Sequence, residues 1–178
     1  MASAIASIAH AAHSVATSVL THSQISPGAE IPACKVKEDA PDASTPLVLI
    51  GKNILIGVPG AFTTPCNAHL PGFISAFDEF KAKGVSAIYV FAVNDVFVMK
   101  AWKAHLAPEG TPIHFIADDQ GAFVRALGLA FDATPLLGGL RSKRFTIVTE
   151  DNKVVSAFVE AAPPNVTVTS AEAVLKSL

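Results

Sequence analysis

Short apolar runs bounded by turn residues set the frame of the chain. NILIGV (53–58), SAIYVFAV (86–93), His114–Ala117 and RFTIVT (144–149) read as strands, the first two apolar on both faces and so buried on both. Val154 to Glu160 reads as a further strand, joined to 144–149 by a hairpin at Glu150–Lys153. A short strand is expected over Ile31–Val36, and polar, proline-bearing loops over 37–46 and 132–139. Between the strands the period changes. Phe73, Phe77 and Phe80 recur at helical spacing up to Lys83, and Gly84 stops the helix. Thr64 is the expected N-cap of that segment, Pro65 its first helical residue, and Pro71-Gly72 an interruption after two turns. Further helices are predicted over Phe97–Leu106, over Gly121–Leu127 and from Thr169, where Glu172 three residues on completes a capping box. This order predicts an α/β domain: a central sheet with helices on both faces. Right-handed crossovers put the strands ending at Val58 and Val93 side by side, and the strand opened by Arg144 beside the first of them.

Composition narrows the setting. The 178 residues suit one domain and one core, with half of them hydrophobic. A net charge of −2 gives no electrostatic reason to expect nucleic acid or an anionic membrane as partner. Only 16% of residues are charged, which points to apolar surface shared between subunits. Two cysteines without a C-x-x-C encode neither a disulfide framework nor a structural zinc site, so a reducing compartment is expected: the cytoplasm first, with mitochondria and peroxisomes left open. Residues 1–25 contain no Lys, Arg, Asp or Glu and match neither a secretory signal nor an arginine-rich transit peptide. They read as an Ala/Ser-rich extension ahead of a domain spanning 26–178, poorly suited to span a bilayer. The C-terminal Lys176-Ser177-Leu178 is not the Ser-Lys-Leu peroxisomal address.

The chemistry concentrates in PGAFTTPC, residues 59–66, at the carboxyl end of a buried strand, where ligands of such sheets collect. Cys66 falls in the first turn of a helix, where free N–H groups and the dipole favour an anion by roughly 0.3–1 kcal/mol. Shifting a thiol by one pKa unit needs about 1.4 kcal/mol, so a cation is required as well. Arg144 is the candidate, with a permanently charged fork of donors. Thr63 adds a hydroxyl, and Pro59 and Pro65 stiffen the loop and shield the sulfur. Other groups have plainer readings. His69, three residues after Cys66, makes a Cys–His hydrolase conceivable but has no evident orienting partner, so packing against the loop is the simpler role. Arg141 reads as a surface or interface residue, His10 and His13 as part of a solvated tail, and Asp118-Asp119 as a turn. A binding module without catalysis is the remaining class.

VPGAFTTPCNAHLPGF (58–73) resembles the active-site segment of the peroxiredoxins, and more narrowly of the peroxiredoxin-5 or type II branch, fungal members included. The likeness continues through VNDVFVMKAW (93–102), RSKRF (141–145) and VTSAEAVLKSL (168–178). It implies a thioredoxin-like fold with a central mixed sheet flanked by helices, and reduction of hydrogen peroxide and alkyl hydroperoxides. Carried over by position, Cys66 is the peroxidatic cysteine, Thr63 and Arg144 hold peroxide and thiolate, and Pro59 shields them. The resulting sulfenic acid is then reduced by a thiol system: thioredoxin, glutaredoxin or glutathione. No metal or organic cofactor is implied, and a homodimer is. One departure is the order Thr63-Thr64-Pro65-Cys66, which sets the proline one place later than the family pattern. Animal members resolve with a cysteine near the last helix, where this chain has Ser170, and several plant members with one on the strand that here reads SAIYVFAV. Cys34 is the remaining candidate, either a small buried hydrophobe or, as in some fungal members, a partner for the other subunit's active-site cysteine.

Overall fold

A computed structural model describes residues 23–178; His10, His13 and all but the end of the 1–25 extension lie outside the described residues. The strands are β1 (Lys35–Ala40), β2 (Ala43–Pro46), β3 (Lys52–Gly57), β4 (Val85–Ala92), β5 (His114–Ala117), β6 (Ala130–Asp132), β7 (Leu140–Ser142), β8 (Phe145–Glu150) and β9 (Lys153–Val159). Seven of them form one sheet in the order β2-β1-β5-β4-β3-β8-β9, while β6 and β7 make a separate ribbon. β3, β4 and β5 are parallel at the centre, and β8 joins β3 antiparallel, so the sheet is mixed. Alternate side chains of the central strands feed two cores. Ile54, Ile56, Ile88 and Val90 face one side; Leu55, Phe91, Ile116 and Ile147 face the other.

The helices are α1 (Thr64–Ser75), α2 (Phe77–Ala82), α3 (Val96–Leu106), α4 (Ala122–Ala126), α5 (Thr134–Leu137) and α6 (Ala171–Ser177). α1, α2, α3 and α6 cover the first face through Phe73, Phe80, Met99, Trp102 and Val174, and α4 covers the second through Phe123 and Val124. No helix among the described residues is long and apolar enough to cross a membrane.

The structure corrects the sequence reading in several places. The first strand begins at Lys35 rather than Ile31, and 37–46 is no loop but most of an edge hairpin, β1–β2. An edge strand needs little apolar pattern: in β1 only Val36 is fully buried, and β2 is exposed throughout. The expected loop at 132–139 holds the single turn of α5. α1 starts one residue early, with Thr63 as N-cap, and it runs through Pro71 and breaks at Ala76 instead. The last helix is capped by Ser170, whose Oγ accepts from the Ala173 amide at 3.2 Å, not by Thr169.

Gly57 is dictated by a close approach. A Cβ there would lie 2.0 Å from Cε1 of Phe145, its cross-strand neighbour on β8. Gly57→Ala is therefore expected to cost stability by overpacking, about 1–3 kcal/mol, read as a lower denaturation midpoint. Thr149 has the opposite fault: its Oγ1 is buried with no hydrogen-bond partner among the described residues. Thr149→Val keeps the shape and removes the unpaired hydroxyl, so it is expected to raise stability by about 1 kcal/mol in the same measurement.

Candidate active site

The PGAFTTPC loop leaves the end of β3 and enters α1. Pro59 and Gly60 are buried. Asn94, just after β4, ties the loop down by accepting from the Ala61 amide at 3.0 Å. Phe62 takes a left-handed φ of 63° and rests against His105 and Trp102 of α3. Strain of this kind is held only where surrounding contacts determine it. Thr63 Oγ1 donates to the Gly60 carbonyl at 3.0 Å, which leaves its lone pairs open to a donor. The first hydrogen bond of α1 runs from the Asn67 amide to Thr63 O at 2.9 Å, so the amide of Cys66 stands outside the helical ladder.

Cys66 is fully buried, on the core face shared with α1, α3 and α6. Arg144 lies between β7 and β8 and is 1% exposed. The antiparallel pairing of β8 with β3 brings its backbone beside the loop. Its guanidinium makes four contacts. Nε and Nη2 donate to the Pro163 carbonyl at 3.0 and 2.9 Å. Nη1 donates to His69 Nδ1 at 3.2 Å, and Nη2 to Cys66 Sγ at 3.4 Å. Arginine carries five N–H donors, so one on Nη1 has no partner among the described residues. Nor does any carboxylate there lie within salt-bridge range of Arg144. The buried cation is thus met by neutral oxygen and nitrogen acceptors and by the sulfur alone.

His69, 2% exposed, is the residue whose role the sequence missed. Its Nε2 lies 2.7 Å from Thr169 O and its Nδ1 faces Arg144. A carbonyl only accepts and a guanidinium only donates, so the ring is the neutral Nε2–H tautomer. Burial, together with the Arg144 charge, outweighs the Thr169 hydrogen bond and lowers its pKa to about 4. Both nitrogens are committed away from Cys66, so the imidazole is not the base of a Cys–His hydrolase. The sequence signal was the i, i+3 spacing of Cys66 and His69, which puts both on one helical face.

Behind His69 stands a second group the sequence did not reveal. Glu160, just past β9, accepts from the Thr167 amide and hydroxyl at 2.6 and 2.7 Å, and from the Thr169 amide and hydroxyl at 3.0 and 2.9 Å. Burial works against its charge, but these four donors prevail and hold its pKa down to about 2. Arg141 bridges the Val93 and Leu137 carbonyls at 3.1 and 2.8 Å, a clamp on the loops around the site, partly buried rather than free on the surface.

Cys34 is not part of this assembly. It packs, half-buried, against the core on the other face of the sheet, and both cysteines are free thiols. Burial and the nearby Asp118 carboxylate push its thiol up to about 11.

Residues 26–175 match the family model described as Redoxin. The chain belongs to the redoxin family, among the peroxiredoxins. This redoxin is 47% identical over 152 residues to the Peroxisomal membrane associated protein 20 of Schizosaccharomyces pombe, covering 85% of this chain and 97% of that protein. Peroxiredoxin 5 from Alvinella pompejana superposes with a TM-score of 0.77 at 38% identity, over 86% of this chain and 97% of the other. Reduced Prx3 from Vibrio vulnificus, solved in complex with H2O2, gives 0.78 at 36% identity, over 86% and 99%. The fold is thus the thioredoxin-like peroxiredoxin fold, with the mixed sheet and flanking helices expected.

The low pKa of Glu160 sets an acid limit. A carboxylate whose folded pKa lies below its ordinary 4.5 contributes stability that is complete above that value. The contribution is lost as pH falls from about 4.5 toward 2. Denaturation midpoints measured across this window are expected to fall more steeply for the wild-type chain than for Glu160→Gln.

Proposed function

We propose that this chain is a thiol-dependent peroxidase in which Cys66 is the nucleophile and Arg144, Thr63 and Pro59 build its pocket. The 3.4 Å contact between the buried Arg144 guanidinium and Cys66 Sγ is the observation that carries the reading. The thiolate attacks one peroxide oxygen; an S–O bond forms as the O–O bond breaks. The departing oxygen takes up a proton and leaves as water or alcohol, and the sulfur, oxidised by two electrons, becomes a sulfenic acid. Charge grows on both oxygens during the transfer. The uncommitted Nη1 donor of Arg144 and the free Cys66 amide stabilise that charge, and Thr63 accepts from the peroxide O–H, so the pocket binds the transition state more tightly than the substrate. Pro59, buried ahead of the loop, keeps water from the sulfur. The Prx3 complex with H2O2 supports hydrogen peroxide as a substrate. No metal or organic cofactor takes part.

Reduction of the sulfenic acid needs a second thiol. The two cysteines face opposite sides of the sheet, so they do not meet within one chain as folded. The reductant is therefore external: thioredoxin, glutaredoxin or glutathione, or Cys34 of a second copy in a homodimer. Non-reducing electrophoresis after one equivalent of peroxide separates these. A dimer band lost in Cys34→Ser assigns resolution to Cys34, and a monomer throughout assigns it to an external thiol.

Cys66→Ser is expected to abolish peroxide consumption. Arg144→Lys, which keeps charge but loses the fork, is expected to slow thiol oxidation by about 10²–10³ in stopped-flow assays. An unchanged rate in either variant overturns the assignment.

A further inference from the structure

We propose that Glu160 is a positioning residue for the peroxide reaction, aiming the Arg144 guanidinium at Cys66 through Thr169 and His69. The inference rests on the peroxidase reading above and extends it to a carboxylate that touches neither sulfur nor substrate.

Residues 160–169 contain no regular secondary structure, yet they supply what holds the guanidinium. Pro163 offers its carbonyl to Nε and Nη2 directly. Thr169 offers its carbonyl to His69 Nε2, which leaves Nδ1 as the acceptor for Nη1. A segment of this kind stays in place only if something closes it. Glu160 does so at both ends. Its amide donates to the Arg144 carbonyl at 3.0 Å, and its carboxylate gathers the four donors of Thr167 and Thr169. Thr146 Oγ1 adds a second donor to Thr169 O at 3.2 Å. The relay therefore runs without a gap from Glu160 to Thr169, to His69, to Arg144, to the sulfur. Groups beyond a reactive centre that orient its immediate partners act on rate by roughly 10–100-fold in metal sites, and a buried arginine with no carboxylate partner of its own depends on such support.

A role in folding alone makes a different prediction. The charged and titratable groups facing this relay are His69 from α1, Arg144 just ahead of β8 and Lys143, which lines a shared cleft with Glu160. Loss of the Glu160 charge by itself removes an anion from the vicinity of a thiolate and shifts the pH–rate profile to lower pH. Loss of aim in Arg144 shifts it to higher pH. The two causes have opposite signs.

The test uses stopped-flow oxidation by H2O2, followed by the fluorescence of Trp102, the only tryptophan, whose Nε1 donates to Asn67 beside Cys66 at 2.6 Å. Wild type, Glu160→Gln, Glu160→Asp, Thr169→Val, His69→Asn and the Glu160→Gln/His69→Asn double variant are compared, with thermal melts of each. Glu160→Gln is expected to slow the reaction on the order of tenfold with its profile moved to higher pH. In the double variant the loss is expected to be smaller than the product of the two single losses, because both act on one relay. Glu160→Asp is expected to recover part of the rate. Should Glu160→Gln fail to fold, Thr169→Val, which removes one hydroxyl and keeps the carbonyl, is expected to show the same shift at a smaller size. A folded Glu160→Gln with wild-type rate and profile, a shift to lower pH, or fully multiplicative losses overturns the inference while leaving the peroxidase reading intact. A wild-type chain whose Cys66 is inert to peroxide overturns that reading and this inference with it.

Discussion

A fully buried arginine without a carboxylate to neutralise it is the constraint around which the molecule is organised. Placing a guanidinium in a core costs several kcal/mol unless its donors are met, and here four of the five are met, by the Pro163 carbonyl, an imidazole nitrogen and a sulfur. None of these acceptors is charged in its resting neutral form. The cation therefore has the sulfur as its one soft, polarisable neighbour. The surroundings of the sulfur and the stability of the arginine are two views of one interaction.

The sheet explains how such an arrangement is held. β3 delivers the loop and β8 the arginine, and their antiparallel register fixes the two against each other. Gly57 opposite Phe145 lets the strands pack closely at that point. Much of this was legible from residues alone. The apolar runs gave the central strands within a residue or two, and the loop chemistry with the permanent charge of Arg144 named the pair that meets at 3.4 Å.

What the sequence concealed shares a physical cause. His69 looked like packing because nothing local shows which atoms its nitrogens will face. Its partners, Thr169 and Arg144, are 100 and 75 residues away. Glu160 looked like a strand end, since four donors converging on one carboxylate from a turn leave no periodic trace. Thr169 was read as the cap because Glu172 three residues on fits a capping box; its hydroxyl donates to Glu160 instead, and Ser170 takes the role. The β1–β2 hairpin was lost for the reverse reason: an edge strand with a single buried side chain carries almost no pattern.

That hairpin bears on how copies of the chain meet. β2 is four residues long, exposed along its length, and ends at Pro46, which has no amide hydrogen to offer a further strand. Sheet-to-sheet continuation between molecules is discouraged at this margin of the sheet, whose other edge is β9.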